Sequence, residues 1–514
     1  MKEINKRNAV FVACAVFLAG LIVMGSVCFS PVYAKVLHYK GTPAKYIFLF
    51  IGDGMGQPQR TAAEAYMASA QGLKPSDCKM AMSKLPAQGV TTTFANDRFI
   101  TGSAAAATAI ACGVKTNIGY IGVDPAYKMV KSIAEMARDR KMKVGIVSSV
   151  SIDHATPACF YAHQPSRKMY HEIAYDLVKS GFNYFGGGGF KDPTGKKSKK
   201  PIGDVFELAR EKGYRIVTDQ SEFRALKGDD GKIIACNRNL PDDEALPYDM
   251  DKTPRDISLA EFTEKGIELL YGDAGFFFMI EGGKIDWACH ANDAMAAIED
   301  TIAFDEAVKR ALAFYEKHPE ETLIVVTGDH ECGGLTLGFA GTVYESYFDV
   351  LKGQRLSFQA FTDSIMAEYK KSKKDGASFE DMIPKIELYF GLTMKGNGPM
   401  VLKDFEIAEL RDAFDKSMKN IEINEGTQEY LLYGGYDPLT VKLTHILNRK
   451  AGLGWTSYSH TGVPVTTSAI GKGAALFNGY YDNTDIAKKI MLLMGLKVNM
   501  ADAGQDAISM AVVK

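Results

Sequence analysis

An aspartate and a histidine four residues apart, in Asp286-Trp-Ala-Cys-His290, fall on one face of a helical turn. That spacing serves either a hydrogen-bonded pair or two ligands of one metal ion. Asp329-His330 and the lone His460 of Ser459-His-Thr-Gly462 offer the same donor types, and Asp53 and Glu281 add carboxylates. Each alone is a weak signal; an aspartate between glycines, as Asp53 is, also serves a turn. Together they make the carboxylate and imidazole set that Zn²⁺ takes in hydrolytic sites. Ser103 is of a different kind. It opens a run of small residues with high helix propensity, so it is either a helix cap or a nucleophile presented where free helix amides favour a phosphate.

The elements that must position these residues are legible as apolar runs. Segments 46–51, 144–149, 276–280 and 323–327 are rich in β-branched and aromatic residues and recur between helical patterns, as in an α/β core whose central strands are buried on both faces. The first runs into Gly52-Asp53-Gly, the third into Glu281-Gly-Gly and the fourth into Gly328-Asp329-His330. In doubly wound sheets ligands sit at the carboxyl ends of strands, so topology alone draws these side chains to one edge. From about 339 to 454 the alternation gives way to helices. Phe358, Phe361, Ile365 and Tyr369 share one face, Ile407, Leu410, Phe414 and Met418 another, and Asp437-Pro438 reads as an N-cap and first helical position of a helix ending near Gly452. This block either covers the site edge of the sheet or thickens the fold away from it.

A chain of 514 residues with 46% hydrophobic residues is long enough for one large core with insertions or for several domains. Its formal charge of −2 lacks the basic field that non-specific nucleic-acid binding requires. The clusters Lys196-Lys-Ser-Lys-Lys200 and Lys370-Lys-Ser-Lys-Lys374 lie in turn-like sequence and read as solvated loops. The Gly186–Gly189 run lacks the ending of a Walker loop and reads as a turn after a strand. Lys2, Lys6 and Arg7 precede an apolar run over 9–29, and Pro31-Val-Tyr-Ala34 ends as a signal peptidase site does, so residues 1–34 are expected to be an export signal and the protein periplasmic or extracellular. The alternative is an uncleaved membrane anchor through 9–29. Cleavage leaves a charge of −4 and six scattered cysteines without CxxC or zinc-finger spacing, read as isolated thiols with no assigned role.

Taken in order, Gly52-Asp-Gly-Met-Gly56, the Ser103 helix start with Gly113-Val-Lys-Thr116, His154-Ala-Thr-Pro157 with Ser166-Arg167, Glu281, Asp286 and His290, Asp329-His330, and His460-Thr-Gly462 resemble the alkaline phosphatase family over roughly 46–496. The resemblance implies an α/β three-layer sandwich with a large, mostly parallel sheet flanked by helices, in one domain of residues 35–514 with a helical insertion at about 339–454. It implies hydrolysis of small phosphate monoesters through a phosphoserine on Ser103. It further implies that Asp286, His290 and His460 hold one zinc, and that Asp329, His330, Asp53 and the Ser103 oxygen hold a second. Asp53 would bridge to a third ion, magnesium, shared with Thr156 and Glu281, while Arg167 clasps two phosphate oxygens. Dimers are common in the family, and a homodimer is the expectation.

Three departures qualify the resemblance. Gly102 stands where the family usually carries an aspartate that orients the arginine, which predicts a looser Arg167. His154 and Trp287 sit at variable positions near the third ion, and with them zinc or cobalt could replace magnesium. The helical insertion is where family members differ most. Competing readings are a phosphodiesterase or sulfatase-like hydrolase on the same scaffold, or an exported phosphate-binding protein without catalysis. The joint presence of Ser103, Arg167, Thr156 and Glu281 favours the monoesterase.

Overall fold

The computed structural model describes residues 36–37, 39–373 and 376–499. The export segment, its cut after Ala34, and Lys374 of the second basic cluster lie outside the described residues. Ten strands form the main sheet: β1 (Tyr46–Gly52), β2 (Ala87–Thr92), β3 (Lys143–Ser148), β4 (Tyr184–Gly187), β5 (Tyr214–Val217), β6 (Lys232–Cys236), β7 (Phe276–Gly282), β8 (Thr322–Gly328), β9 (Val465–Gly471) and β10 (Gly479–Asp482). Their order is β10-β2-β9-β8-β1-β7-β3-β4-β6-β5. Only β9 runs against its neighbours; the other pairs are parallel.

Strands β1, β7 and β8 are buried at every position, which is why they read as unbroken apolar runs. Their side chains alternate between two cores. Tyr46, Phe48, Phe50, Phe276, Phe278 and Ile280 pack on one face with helices Gln57–Ala70, Leu259–Leu270 and Ala294–Tyr315. Ile47, Leu49, Ile51, Phe277 and Met279 pack on the other with helices Ser103–Cys112, Ile133–Asp139, Tyr170–Ser180 and Thr484–Leu493. Each such burial contributes roughly 1.5–3 kcal/mol. The three-layer α/β architecture implied by the sequence is therefore the observed one.

The glycine run departs from expectation, because Gly186 and Gly187 belong to β4 rather than to a turn. Gly187 has φ 124°, and a Cβ there would lie 1.8 Å from the Ser148 carbonyl oxygen, so only glycine lets β4 approach β3 at this edge.

The helical block contains helices Phe379–Phe390, Asp404–Lys419, Gln428–Tyr433 and Pro438–Ala451, preceded by a helical stretch from Phe358 to Ser372 with a π-type segment at Phe361–Met366. Asp437 accepts from the Thr440 amide at 3.1 Å and caps the last helix, and Gly452, at φ 87°, ends it. The block packs into the first core through Phe361, Leu410 and Phe414 among others. Its last helix is also tied to the loop after His290: Asn448 donates to the Asn292 carbonyl at 2.7 Å, and His445 Nε2 lies 3.1 Å from Asn292 Oδ1. The block thus reaches the edge of the sheet where the acidic residues gather.

Candidate metal centre

Strand register brings the acidic residues together. Ile51 of β1 lies level with Glu281 of β7 and Thr327 of β8, and Gly52 with Gly282 and Gly328. Asp53 and Asp329 therefore leave adjacent strands at one level, with Glu281 two residues earlier on the other side of β1. Gly54, at φ 70°, makes the turn after Asp53; a Cβ there would meet the Asp286 Cα at 2.7 Å. Asp286 and His290 ride on the short helix Lys284–His290 that follows β7. His460 arrives from far along the chain through a two-residue antiparallel ladder, Glu331–Cys332 against His460–Thr461.

Two clusters of ligand-type atoms result, with a third sharing Asp53. His330 Nε2 lies 3.3 Å from Asp53 Oδ1, 3.3 Å from Asp329 Oδ2 and 3.3 Å from Ser103 Oγ. His290 Nε2 lies 3.1 Å from His460 Nε2 and 3.3 Å from Asp286 Oδ2, and His460 Nε2 lies 3.5 Å from Asp286 Oδ1. Atoms bonded to one tetrahedral zinc at about 2.0–2.1 Å are separated by roughly 3.3 Å, the spacing found in both clusters. The tautomers agree. His290 Nδ1 donates to the Tyr458 carbonyl at 2.6 Å and His460 Nδ1 to the Thr101 carbonyl at 2.9 Å, which leaves both Nε2 lone pairs facing one another. Two lone pairs at that distance repel unless a metal cation, or a proton on His290, stands between them. The third cluster joins Asp53, His154 and Glu281, with Thr156 on the adjacent short helix Ala155–Ala158.

Burial makes the same point. Asp53 Oδ1 and Oδ2, Glu281 Oε1, Asp286 Oδ1, Asp329 Oδ2, Thr156 Oγ1 and His330 Nδ1 are all buried without a hydrogen-bond partner. Such atoms are costly unless something charged compensates them. Burial, reinforced by the Asp286 charge, raises the Asp53 carboxyl to about 7. Burial and the Asp53 charge push Glu281 and Asp329 well above the usual carboxylate range. Burial opposes ionisation of Asp286 too, but His290 and His460 hold it well below its ordinary value. His290 rises to about 9, the Asp286 charge outweighing its own burial. These donors fit divalent cations, which would restore the ionised carboxylates.

Ser103 is the first residue of helix Ser103–Cys112, whose N-cap is Gly102, so the alternative of a capping serine does not hold. Its side chain is 2% exposed and faces His330. The first helical bond runs from the Ala106 amide to the Gly102 carbonyl, so the amides ahead of it point past Ser103. Arg167 is anchored by its own amide on the Gly119 carbonyl at 2.7 Å, and its Nη2 meets His154 Nε2 at 2.9 Å. Trp287 packs edge-on against the His154 ring at 5.7 Å.

Several residues at the site escaped the sequence reading. Cys332 Sγ lies within the histidine cluster, 3.7 Å from the Asp286 carbonyl. Buried Glu331 accepts from Gln59 at 2.8 Å and from the Thr461 hydroxyl, which pins the His460 strand. Fully buried Lys284 pairs with Asp242 at 2.8 Å and lies over Trp287. The only signal for Glu331 and Cys332 was adjacency to Asp329-His330.

An α/β sandwich with clustered carboxylate and imidazole ligands around a buried serine defines a metal-dependent hydrolase. The family model described as alkaline phosphatase matches residues 44–496, and the chain belongs to that family. It is 31% identical to alkaline phosphatase 3 of Bacillus subtilis over 465 residues, 88% of this chain and 90% of the relative. The crystal structure of a cold-active alkaline phosphatase from Shewanella sp. superposes with a TM-score of 0.71 at 28% identity, covering 87% of this chain and 99% of that one. A histidine-to-aspartate mutant of the TAB5 alkaline phosphatase, described with Mg bound in the M3 site, superposes with a TM-score of 0.58 at 27% identity, covering 88% and 98%. The protein is a phosphatase, and its reaction is hydrolysis of phosphate monoesters.

Proposed function

We propose that the reaction proceeds through a phosphoserine on Ser103 at a centre of two zinc ions and one magnesium. The observation that carries this reading is the Ser103 oxygen 3.3 Å from His330 Nε2, beside Asp53 and Asp329 at the same spacing from that nitrogen. Asp286, His290 and His460 would hold one zinc; Asp53, Asp329 and His330 would hold the other; Asp53, Thr156 and Glu281 would hold the magnesium. The magnesium described for the TAB5 enzyme is in keeping with the third assignment. When bound, the zinc ions supply the charge that ionises the serine hydroxyl and offsets the charge growing on the leaving oxygen.

Arg167 donates two parallel hydrogen bonds to phosphate oxygens, and the amides at the start of the Ser103 helix face the same group. Ser103 Oγ loses its proton to solvent and attacks phosphorus in line; the P–O bond to the alcohol breaks and the alcohol leaves. Water then attacks the phosphoserine, its oxygen replacing Oγ on phosphorus, and the serine regains a proton. The alcohol portion faces a cavity of about 490 Å³ lined by Trp287, His290, Phe358, Thr362 and Tyr436, so the helical insertion borders the leaving group. We assign residues 35–514 to one domain, exported after loss of 1–34 and assembled as a homodimer. No helix of the described residues is long and apolar enough to cross a membrane.

The test is Ser103→Ala with metal content measured by elemental analysis. The variant is expected to keep its metals and to lose about 10⁴-fold or more in kcat. A fully metallated variant that remains active would overturn the phosphoserine route.

A further inference from the structure

We propose that a cavity of about 320 Å³ behind the histidine cluster is a second ligand site, suited to a small planar acid that also carries an N–H or O–H donor, and that its occupant steadies the His290 and His460 loops through Asn292. The site stands on its own walls. Its effect on zinc rests on the assignment of Asp286, His290 and His460 proposed above.

The cavity lies between helix Pro438–Ala451 and the segment where Thr336 pairs with Gly454. Lys442, His445, Asn448 and Arg449 line it at the three- and four-residue spacing of one helical face, and Phe339 and Trp455 complete the wall. Among the described residues, the charged groups of that wall are Lys442 and Arg449. Both reach Glu409 of helix Asp404–Lys419, at 3.6 and 2.7 Å, and Glu409 itself lies outside the wall. Two cations sharing one carboxylate leave the cavity positive. Burial lowers the Lys442 ammonium below its ordinary value in spite of Glu409, so a further anion would be welcome there.

The uncharged groups narrow the ligand. Trp455 Nε1 and Asn448 Oδ1 are buried without a hydrogen-bond partner; the first only donates and the second only accepts. The orientation of the Asn448 amide is fixed, because its nitrogen donates to the Asn292 carbonyl. Burial, with the charges of Lys442 and Arg449, pushes His445 down to about 3, so its ring is neutral. Asn292 Nδ2 donates to the Cys289 and Ser457 carbonyls, so Asn292 Oδ1 accepts from His445 Nε2 and leaves His445 Nδ1 as a second acceptor. The wall thus offers cationic and indole donors to an anionic group, two acceptors to a donor, and flat rings to the body between them. A bare phosphate would leave Asn448 Oδ1 unmet, and a neutral amine would leave the cations unmet.

Asn292 connects this cavity to the metal centre. It sits two residues past His290 with φ 52°, and through Ser457 it holds the chain three residues before His460. Two cavity side chains, His445 and Asn448, hold it in turn. Trp455 makes a second link: a Cβ on Gly333 would meet its ring at 2.5 Å, and the neighbouring Cys332 pairs with His460. An occupant bonded to His445 and Asn448 fixes the side chains that tie Asn292, and by linkage zinc and occupant bind each other's form more tightly.

The experiment is calorimetry with 4-aminobenzoate as probe on the full-length zinc-loaded protein. One site per chain is expected, and saturating inorganic phosphate should not displace the probe. Benzoate, which brings no donor to Asn448, should bind about fivefold more weakly, and Trp455→Phe should lose about the same. Aniline, which lacks the charge, and the variant Arg449→Met should each show a loss of about tenfold or more. With the probe bound, about fivefold more chelator should be needed to strip the first zinc. No binding, displacement by phosphate, or undiminished affinity in both variants would overturn the site; zinc retention unchanged by the probe would overturn the coupling. Should Arg449→Met fail to fold, Trp455→Phe and the benzoate comparison decide. Metal content of Asp286→Asn reports the zinc assignment without the probe, so failure of that assignment is separable from failure of the coupling. No arm uses turnover, and failure of the phosphoserine route would leave the result standing.

Discussion

The histidine cluster and the carboxylate cluster use the same residue types and balance their charge in opposite ways. Around Asp286, two imidazoles face one carboxylate; Asp286 is held ionised and His290 is raised to about 9, so the group can persist as an ion pair. Around Asp53, three buried carboxyls meet two imidazoles, His330 and His154, both of which burial keeps neutral, so neither supplies a counter-charge. Asp53, Asp329 and Glu281 are all pushed upward, and this half takes up protons when no cation is present. The half that presents the nucleophile is thus the half that depends most on its ions.

Removing one carboxylate from each half separates them most sharply. Asp329→Asn and Asp286→Asn should both lose activity by about a thousandfold or more, since each removes a ligand. Their metal-free stabilities should move in opposite directions. Asp286→Asn leaves buried imidazoles without their counter-charge and should cost about 3 kcal/mol in chelator at neutral pH. Asp329→Asn relieves a crowded set of acids and should stabilise the metal-free protein by about 1 kcal/mol. Calorimetric unfolding in chelator checks both signs, and equal destabilisation would erase the distinction.

A smaller effect lies in pH. Asp53 has an ordinary carboxyl value when unfolded and about 7 when folded without metal, so the folded state binds the extra proton between those limits. Stability from this group is fully present below about 4 and falls as pH rises to about 7. The metal-free protein should lose melting temperature over that interval, and the metal-loaded protein should not. A metal-free melting temperature that rises steadily from pH 4 to 7 would count against the raised carboxyls.

Much of this was legible in the sequence where the signal is local. Asp286 and His290 are a helical turn apart, Asp329-His330 follows a buried strand, and Asp437-Pro438 marks a helix start that the structure keeps. Strands β1, β3, β7 and β8 could be read because both faces are apolar. Strand β2 could not, since its burial alternates and two of its positions are exposed. Gly187 misled because its conformation answers to the Ser148 carbonyl on another strand. The pairing of Cys332 with His460 spans well over a hundred residues and exists only once β8 is in place. The Arg167 contact with His154 depends on ring orientation, which Trp287 sets through packing rather than through any motif.

The claim that binds these observations is that Ser103 itself carries the phosphoryl group. Turnover of a labelled phosphate monoester, stopped by acid and followed by peptide mapping, tests it directly. The account predicts covalent phosphate on the peptide containing Ser103 and at that residue. Label on a different residue, or steady turnover with no label trapped on Ser103 at any pH where the enzyme is active, would contradict it.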